Sequence, residues 1–219
     1  MPIYDRYISI AREAEQHAQK GGFPPENIRL LAVTKEQPVS NISELYDAGI
    51  REFAENRLPV LETKYRELPD DIIWHWIGKL QSNKVRKVLK MAKVIHSVDS
   101  AELLMRIEKI AQEEGLSPQL FIEINVSGEV SKSGIQPDEL PELLKFKTSS
   151  AVIVGVMTMA PADAGEVELR RIFTRLHELG TSNGLHNFSM GMSNDYRIAA
   201  ECGATVIRVG TAIFQESCS

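Results

Sequence analysis

The stretch LLAVTKEQPVSNISELYDAG, residues 30–49, contains the unit from which the fold is predicted. An apolar run typical of a strand leads into a short polar segment with Pro38, and an amphipathic segment of helical period follows. Ser40 and Asn41 favour a helix start, and Gly49 favours a helix end. The stretch therefore predicts a strand, a turn and a helix in that order.

This unit recurs along the rest of the chain. Strands are predicted at residues 30–34, 50–54, 73–77, 94–98, 120–126, 152–157, 187–190 and 206–209. Helices are predicted at residues 3–20, 41–48, 58–67, 82–91, 100–114, 138–146, 164–179 and 195–202. Asp99 and Ser100 favour one of the helix starts, while Gly115, Gly180 and Gly203 favour helix ends.

Strands that alternate with helices favour parallel pairing with right-handed crossovers. Eight such units predict an α/β fold, a single (β/α)8 TIM barrel with an extra N-terminal helix. A doubly wound open sheet is the structural alternative. No linker, low-complexity stretch or charge block divides the chain, so we expect one domain over residues 1–219.

The composition excludes several classes of protein. A net charge of −5 argues against general affinity for nucleic acid or anionic lipid, and no apolar run approaches the length that spans a bilayer. The N-terminus carries charges throughout and does not resemble a signal peptide. Cys202 and Cys218 form neither a metal spacing nor a disulfide framework, and the five histidines show no paired ligand spacing. We expect a cytoplasmic protein without a metal site.

Lys35 directly follows the first predicted strand. In a barrel of this type, functional groups collect at the carboxyl ends of the strands. Low-dielectric walls there disfavour the charged form of a lysine, and the neutral amine is the nucleophile that forms a Schiff base. Lys35 is therefore a candidate nucleophile, with a solvated surface charge as the alternative.

Two segments near the C-terminus favour a phosphate site. After each of the last two predicted strands, a glycine is followed by a helix start with a hydroxyl residue: Gly191 with Ser193, and Gly210 with Thr211. Backbone amides at helix starts attract anions, and phosphate sites after strands seven and eight recur in this fold. The alternatives are that Ser193 only caps its helix and that Gly210 only turns the chain.

Arg208 lies within the last apolar strand, two residues before Gly210. A salt bridge at the barrel mouth is one interpretation; a hydrogen bond donated to a ring nitrogen or an anion is the other. A strand-end lysine together with a phosphate site favours a phosphorylated aldehyde, and pyridoxal 5′-phosphate (PLP) fits that description.

The segment WHWIGKLQSNK, residues 74–84, closely resembles the signature of the YggS/PROSC family, the pyridoxal phosphate homeostasis proteins. The resemblance covers nearly the whole chain: LLAVTK at 30–35, AEN at 54–56, NVSGEVSKSG at 125–134, GVMTMAP at 155–161, MGMSNDY at 190–196 and RVGTAIF at 208–214. It implies a barrel like the N-terminal domain of alanine racemase, with PLP held as an internal aldimine on Lys35 and released to apo-enzymes.

The resemblance also assigns roles to other residues. It places the phosphate on Ser193, Gly210 and Thr211, directs Arg208 toward the pyridine nitrogen, and lines the ring pocket with Asn56 and Met157. The resemblance also suggests His75 and Asn125 as site residues. For each of them, the alternative is a hydrogen-bonded group in the protein interior.

Two positions depart from the family pattern. Ala54 replaces the usual glycine before Glu55 and Asn56, which narrows the backbone freedom just before Asn56. Trp76 replaces a common phenylalanine and is expected to pack in the core or at the rim.

The sequence favours a carrier over an enzyme. The chain ends soon after the eighth barrel unit, so we expect no additional β-domain to supply the second acid/base of an alanine racemase. An arginine opposite the ring nitrogen also weakens PLP as an electron sink. Tyr196 is the tyrosine nearest to the site, and helix packing is its favoured role. A PLP-dependent enzyme with weak racemase-type activity is the alternative, and a cofactor-free aldolase acting on a phosphorylated sugar is a third hypothesis.

Three further expectations concern partners and surfaces. We expect a monomer, because the racemase dimer interface involves the missing domain. The basic segment with Lys84, Lys87 and Lys90 is expected to be a solvated helix face. Lys132, in the polar loop after strand five, is a weak candidate for contact with an anionic ligand.

Overall fold

The computed structural model of the chain describes residues 1–129 and 133–215. Its strands are β1 (Arg29–Val33), β2 (Glu52–Glu55), β3 (Ile73–Trp76), β4 (Ala92–Val98), β5 (Gln119–Glu123), β6 (Val152–Met157), β7 (Asn187–Ser189) and β8 (Val206–Val209). Neighbouring strands pair in parallel, and β8 pairs with β1, so the sheet closes into a barrel in sequence order. The predicted TIM barrel is confirmed, and this closure rules out the open sheet.

Helices surround the barrel. The α-helices of the described residues are α1 (Ile3–Lys20), α2 (Val39–Asp47), α3 (Leu58–Glu67), α4 (Val85–Leu89), α5 (Ala101–Glu114), α6 (Leu140–Leu143), α7 (Glu166–Ser182), α8 (Tyr196–Glu201) and α9 (Thr211–Phe214). Short 3-10 helices span Pro25–Asn27 and Pro137–Glu139. The extra N-terminal helix α1 packs against α8 and α9.

Several helix boundaries differ from the sequence prediction, and two of the differences concern residues expected to start or end a helix. Gly180 does not end a helix, because α7 continues to Ser182; a Cβ at Gly180 would lie 2.6 Å from Phe188 Cε1, so this glycine allows helix and barrel to pack closely. Ser40 does not start α2 either, since the N-cap is Pro38 and Ser40 lies inside the helix.

Three other elements begin or end three residues inside their predicted range. The helix predicted at 138–146 is a 3-10 turn followed by the four-residue α6, where Pro141 lacks the N–H that a longer helix would need. The helix predicted at 82–91 is the five-residue α4, because residues 82–84 form turns. The strand predicted at 120–126 ends at Glu123, beyond which Ile124 makes only an isolated bridge to Ile135.

The buried apolar side chains form two layers. The larger layer lies between the strands and the helices and includes Phe53, Trp74 and Phe173. The smaller one fills the barrel interior with Leu31, Val33, Ala54, Val94, Phe121, Met157 and Val206. Because side chains alternate along a strand, every second residue points into the barrel, and the inward positions nearest the carboxyl ends lie at its mouth. Among the described residues, no helix has both the length and the apolar character that a membrane crossing requires.

Candidate cofactor site

A cavity of about 460 Å³ opens at the carboxyl ends of the strands. All seven residues singled out from the sequence line it: Lys35, Asn56, Met157, Ser193, Arg208, Gly210 and Thr211. They come from the ends of β1, β2, β6 and β8 and from the loop after β7, so the fold collects them from across the chain. Their individual roles in binding remain predictions.

Lys35 lies at the rim of this cavity, two residues after the end of β1. The residue is exposed, so the expectation of low-dielectric walls around its ammonium is wrong for this structure. The next residue, Glu36, has a left-handed backbone with φ 64°, an uncommon conformation for a residue with a Cβ. The chain therefore turns sharply just after Lys35 and leaves its side chain at the edge of the cavity.

A buried ion pair supports the backbone beneath Lys35. Lys64 Nζ lies 2.5 Å from Glu55 Oε1 and donates to the carbonyl oxygen of Thr34 at 2.7 Å, and the Thr34 hydroxyl donates to the same Glu55 oxygen at 2.7 Å. Glu55 and Lys64 are 0% and 3% exposed, so both charges depend on each other. Sequence reasoning missed this pair; its only signal was a glutamate within an apolar strand.

Asn56 presents an unsatisfied acceptor at the cavity. Its Oδ1 atom is buried and has no hydrogen-bond partner among the described residues. Gly78, from the WHWIGKLQSNK segment, packs on it: a Cβ there would lie 2.3 Å from the Asn56 carbonyl oxygen. A buried polar atom without a partner is rare in native proteins, so a polar ligand group beside Asn56 fits the site.

The loop after β7 and the start of α9 are joined through Ser193. Its Oγ accepts a hydrogen bond from the Ala212 N–H at 3.4 Å, and α8 has no side-chain cap. The alternative that Ser193 only caps α8 is therefore wrong. Thr211 is the first residue of α9, where N–H groups have no acceptor within a helix. The two segments predicted to bind phosphate thus face each other.

Asp195 organises the same loop. Its carboxylate accepts from the Met192 N–H at 2.5 Å, and burial raises its pKa, an effect that this hydrogen bond and the charge of Arg208 oppose. Gly191 begins the loop with φ 92°, a left-handed conformation that glycine adopts without strain.

Arg208 is 4% exposed and points into the site from β8. Its Nη1 donates to Ser189 Oγ at 2.5 Å and its Nη2 donates to the Thr158 carbonyl at 3.1 Å. Burial lowers the pKa of Arg208 to about 10, while the charges of Asp195 and Glu123 oppose that shift. The guanidinium therefore remains charged at neutral pH. The simple salt-bridge interpretation is incomplete, because both terminal nitrogens donate to uncharged oxygen atoms.

Glu123 is a second group that sequence reasoning missed. It ends β5, is 4% exposed, and burial together with the charge of Asp99 raises its pKa to about 7, against the opposing charges of Arg208 and Lys79. A carboxyl group that titrates near neutrality is thus electrostatically coupled to Arg208.

The remaining sequence candidates lie elsewhere. His75 and Asn125 are hydrogen-bonded interior groups outside the cavity: His75 Nδ1 lies 2.9 Å from His96 Nε2, and Asn125 Nδ2 donates to the Glu129 carbonyl at 2.8 Å. The Tyr196 hydroxyl donates to Glu13 on α1, which confirms a packing role. Lys132 lies outside the described residues.

The predictions for Trp76 and for the basic segment can be checked directly. Trp76 is 2% exposed and belongs to the larger core layer, as expected. In the basic segment, Lys87 pairs with Glu62 and Lys90 with Glu114, all at the surface, which agrees with a solvated helix face. Within residues 1–129 and 133–215, no three histidine, cysteine or acidic side chains gather as a metal site.

Comparisons with known proteins show the family to which the chain is similar. The family described as alanine racemase, N-terminal domain, matches residues 11–217. The pyridoxal phosphate homeostasis protein of Aquifex aeolicus (strain VF5) is 33% identical over 225 residues, which cover 99% of each chain. The protein of the same name from Pseudomonas aeruginosa is 36% identical over 218 residues, 97% of this chain and 94% of that one.

A solved structure extends the likeness to three dimensions. PipY of Synechococcus elongatus PCC7942, determined with PLP bound, superposes with a TM-score of 0.80 at 37% identity. The match covers 93% of this chain and 100% of that one.

Proposed function

The chain belongs to the alanine racemase N-terminal domain family, among its pyridoxal phosphate homeostasis proteins, and from this premise we propose that it binds PLP in the cavity beside Lys35. The observation that carries the proposal is the grouping, in one cavity, of a lysine, the unpartnered Asn56 Oδ1 and the joined loops at Ser193 and Ala212. PLP has an aldehyde, a polar ring and a phosphate, and these groups match the three features. Its role is in PLP homeostasis.

Each lining residue has a defined task in this proposal. Lys35 would hold PLP through its amine, for which the cofactor would supply an aldehyde; this linkage would form with loss of water and be reversed by hydrolysis. Ser193, Gly210 and Thr211 bind the phosphate. Arg208 donates toward the pyridine nitrogen and keeps it unprotonated.

Asn56 and Met157 complete the site beside the cofactor ring. Asn56 gains a partner for its free oxygen, and the buried thioether of Met157 contributes apolar surface at the end of β6. An apolar wall with a few placed polar groups is typical of cofactor pockets.

We propose a carrier that releases PLP to apo-enzymes rather than a racemase. Within the described part of the chain, no tyrosine, histidine or cysteine lines the cavity, and the Tyr196 hydroxyl is engaged by Glu13. We further propose a monomer that acts in the cytoplasm, where the buried thiol of Cys202 stays reduced.

Borohydride reduction of the PLP-loaded protein followed by peptide mapping tests the site. We expect the pyridoxyl group on Lys35, and Lys35→Ala should lose visible absorption while remaining folded. Lys79, which is exposed at the same end of the barrel, gives a matched control, since Lys79→Ala should keep both the colour and the label. A label on any other lysine, or none at all, would overturn the assignment.

A second set of assays separates the carrier from an enzyme. Incubation of the loaded protein with a panel of amino acids should give no racemisation above the level of free PLP. Mixing with an apo-PLP enzyme should restore that enzyme's activity, and light scattering should give the mass of a single chain. Turnover of an amino acid that Lys35→Ala abolishes would favour the racemase.

A further inference from the structure

A row of buried polar side chains crosses the barrel interior from Arg208 toward the opposite mouth. Arg208 Nη1 lies 2.5 Å from Ser189 Oγ, Ser189 Oγ lies 2.7 Å from His96 Nδ1, and His96 Nε2 lies 2.9 Å from His75 Nδ1. All four residues are at most 4% exposed. Apart from Arg208, none of these four residues lines the cofactor cavity.

The charge state of the two histidines is fixed by burial. Burial lowers the pKa of His75 to about 3, with a smaller contribution from Arg29. Burial also lowers the pKa of His96 well below its usual value, and the nearby charges act in the same direction. Both rings are neutral at physiological pH, so each has one N–H donor and one bare acceptor nitrogen.

The direction of every hydrogen bond then follows from Arg208. A guanidinium can only donate, so Ser189 Oγ accepts from it. Among the described residues, His96 Nδ1 is the only other hydrogen-bond partner of Ser189 Oγ, so the hydroxyl proton is directed to that nitrogen. His96 therefore carries its proton on Nε2 and donates to His75 Nδ1. His75 in turn carries its proton on Nε2. A single obligate donor thus sets the tautomer of two rings across the barrel.

The row ends at the amino-terminal mouth of the barrel. His75 Nε2 has no hydrogen-bond partner within 3.5 Å among the described residues, and the nearest carboxylate oxygen is Glu52 Oε2 at 3.6 Å. His75 and Glu52 line a separate cavity of about 400 Å³ that also includes Arg29 and Lys93. The donor direction that begins at Arg208 thus points toward an acidic group at the other end of the barrel.

We propose that Ser189, His96 and His75 are positioning residues for Arg208, holding its guanidinium in the orientation that faces the cofactor ring. The inference rests on the proposed function in one respect, namely that the PLP ring lies against Arg208. Nη1 of Arg208 donates to Ser189 and Nη2 donates to the Thr158 carbonyl. These two hydrogen bonds together fix the plane of the guanidinium. His96 orients the Ser189 hydroxyl so that its oxygen accepts from Arg208. The ring of His96 is itself fixed by stacking on Phe121, with the two ring centroids 4.5 Å apart.

A purely apolar filling would serve barrel stability as well. Polar networks in a core are costly when any member lacks a partner, and apolar residues of similar volume often replace them without loss. We therefore attribute the presence of these polar residues to their effect on Arg208, whose guanidinium they hold in one orientation. A loose guanidinium would leave buried N–H groups unpaired and would meet the cofactor ring in several orientations.

Histidine tautomers in the cofactor-free protein give the first test, and this test does not depend on PLP. Long-range ¹H–¹⁵N NMR spectra should show both His75 and His96 as neutral rings protonated on Nε2. Arg208→Lys, which keeps a donor, should preserve this pattern, whereas Arg208→Met should abolish the single tautomer of His96. A His96 ring protonated on Nδ1 in the unmodified protein would overturn the proposal.

PLP affinity and absorption give the second test. Ser189→Ala should raise the Kd for PLP by about tenfold or more, the effect of one hydrogen bond to a charged group, and should shift the visible absorption of bound PLP. His96→Phe keeps the stacking on Phe121 but removes both nitrogens, and it should have a similar effect. His96→Gln, which again offers an acceptor and a donor, should restore part of the affinity.

Ser97→Ala is the matched control. Ser97 is equally buried on β4, but its hydroxyl donates to the Gly78 carbonyl at 2.6 Å and does not reach Arg208. This variant should leave the absorption of bound PLP unchanged.

The outcomes separate the inference from the proposed function. If the unmodified protein failed to bind PLP, the proposed function would be wrong, while the tautomer test would still decide whether the network exists. If it bound PLP and Ser189→Ala matched it in Kd and spectrum, the positioning role would be wrong and the proposed function would stand.

Discussion

The buried ion pair between Lys64 and Glu55 holds the backbone next to Lys35. Lys64 and Glu55 neutralise each other in a place with almost no solvent contact, and both also bond Thr34, the residue before Lys35. Removing one partner of such a pair leaves a buried charge without compensation, whereas removing both leaves a neutral site.

Lys64→Met should therefore lower the free energy of unfolding by about 3–5 kcal/mol, the usual effect of breaking a buried pair. The double variant Glu55→Gln with Lys64→Met should recover much of that loss. Urea unfolding of the two variants and the parent checks this result. Equal destabilisation in the single and double variants would show that the methylene packing of Lys64, and not its charge, matters.

Glu123 predicts a dependence of stability on pH. Its pKa in the folded chain is about 7 against an ordinary value of 4.5, so folding favours the protonated form. The corresponding stabilisation is complete below pH 4.5 and disappears as the pH rises through 7. Glu123→Gln cannot ionise, so it should be more stable than the parent at pH 8, by up to about 3 kcal/mol, and similar to it at pH 4.5.

Thermal unfolding of the cofactor-free protein across this pH range measures the difference. Glu26→Gln, at an exposed position, serves as the control and should show no comparable trend. A difference between Glu123→Gln and the parent that stays constant with pH would contradict the assigned titration.

Single residues differ in how far the sequence reveals them. The position of Lys35 and Arg208 at the cavity could be predicted, because strand-end position and motif context single them out. Glu55, Lys64 and Glu123 could not, because their importance lies in contacts that only the folded chain creates. Lys35 was also expected in an enclosed environment, yet it lies exposed at the rim, since the tight turn at Glu36 carries it outward.

Helix α1 is hydrogen-bonded to elements that form the cavity, on the side where we propose that the phosphate binds. Arg6 Nε donates to the Ile213 carbonyl in α9 at 2.6 Å, and the Tyr7 hydroxyl donates to the Leu30 carbonyl in β1 at 2.7 Å. Glu201, at the end of α8, accepts from Lys20 and lies 2.7 Å from His17 Nδ1. The extra helix is thus part of the support of the site.

Arg6→Leu should loosen α9 without unfolding the barrel. A hydrogen bond from a charged group contributes about 1.5–3 kcal/mol, so amide hydrogen exchange at residues 211–214 should accelerate by roughly tenfold or more. PLP affinity should fall with it. Arg12→Leu, at an exposed position on the same helix, should leave exchange at 211–214 unchanged. Unchanged exchange in Arg6→Leu would show that α9 is held by its own packing.

The bounds of helices with an unbroken amphipathic pattern could be predicted. The bounds of the helices that contain Gly180 and Pro141 could not. The predicted bounds of α1 and α3 agree with the structure, because nothing within either helix competes with its amphipathic pattern. The sequence gives no local sign that Gly180 lies inside a helix, since the reason is the Phe188 ring pressed against it. Pro141 did carry a local sign, but the apolar spacing around it masked the break.

The whole molecule should respond to PLP as a single folded unit. A ligand that binds only the folded state at 100 times its Kd stabilises a protein by about 2.7 kcal/mol. For a chain of this size, that corresponds to a rise in Tm of roughly 5 to 11 °C. Pyridoxine 5′-phosphate, which has the same phosphate but no aldehyde, should give a smaller rise.

Differential scanning calorimetry with each compound checks this expectation. In Lys35→Ala, the responses to the two compounds should become similar, because the covalent linkage is lost. An equal rise with both compounds in the unmodified protein would show that Lys35 adds nothing to binding.

The pairing of β1 with β8 has a consequence for how the protein is made. Leu31 stands opposite Arg208 across this seam, so the two sides of the cavity come from opposite ends of the described chain. As a chain leaves the ribosome, Lys35 emerges well before the segments that follow β7 and β8. In the proposed binding mode, a nascent chain that lacks β8 carries the amine of Lys35 but lacks the segment after β8 that holds the phosphate. In that mode, stable capture of PLP marks a chain that has been translated through β8 and has closed its barrel.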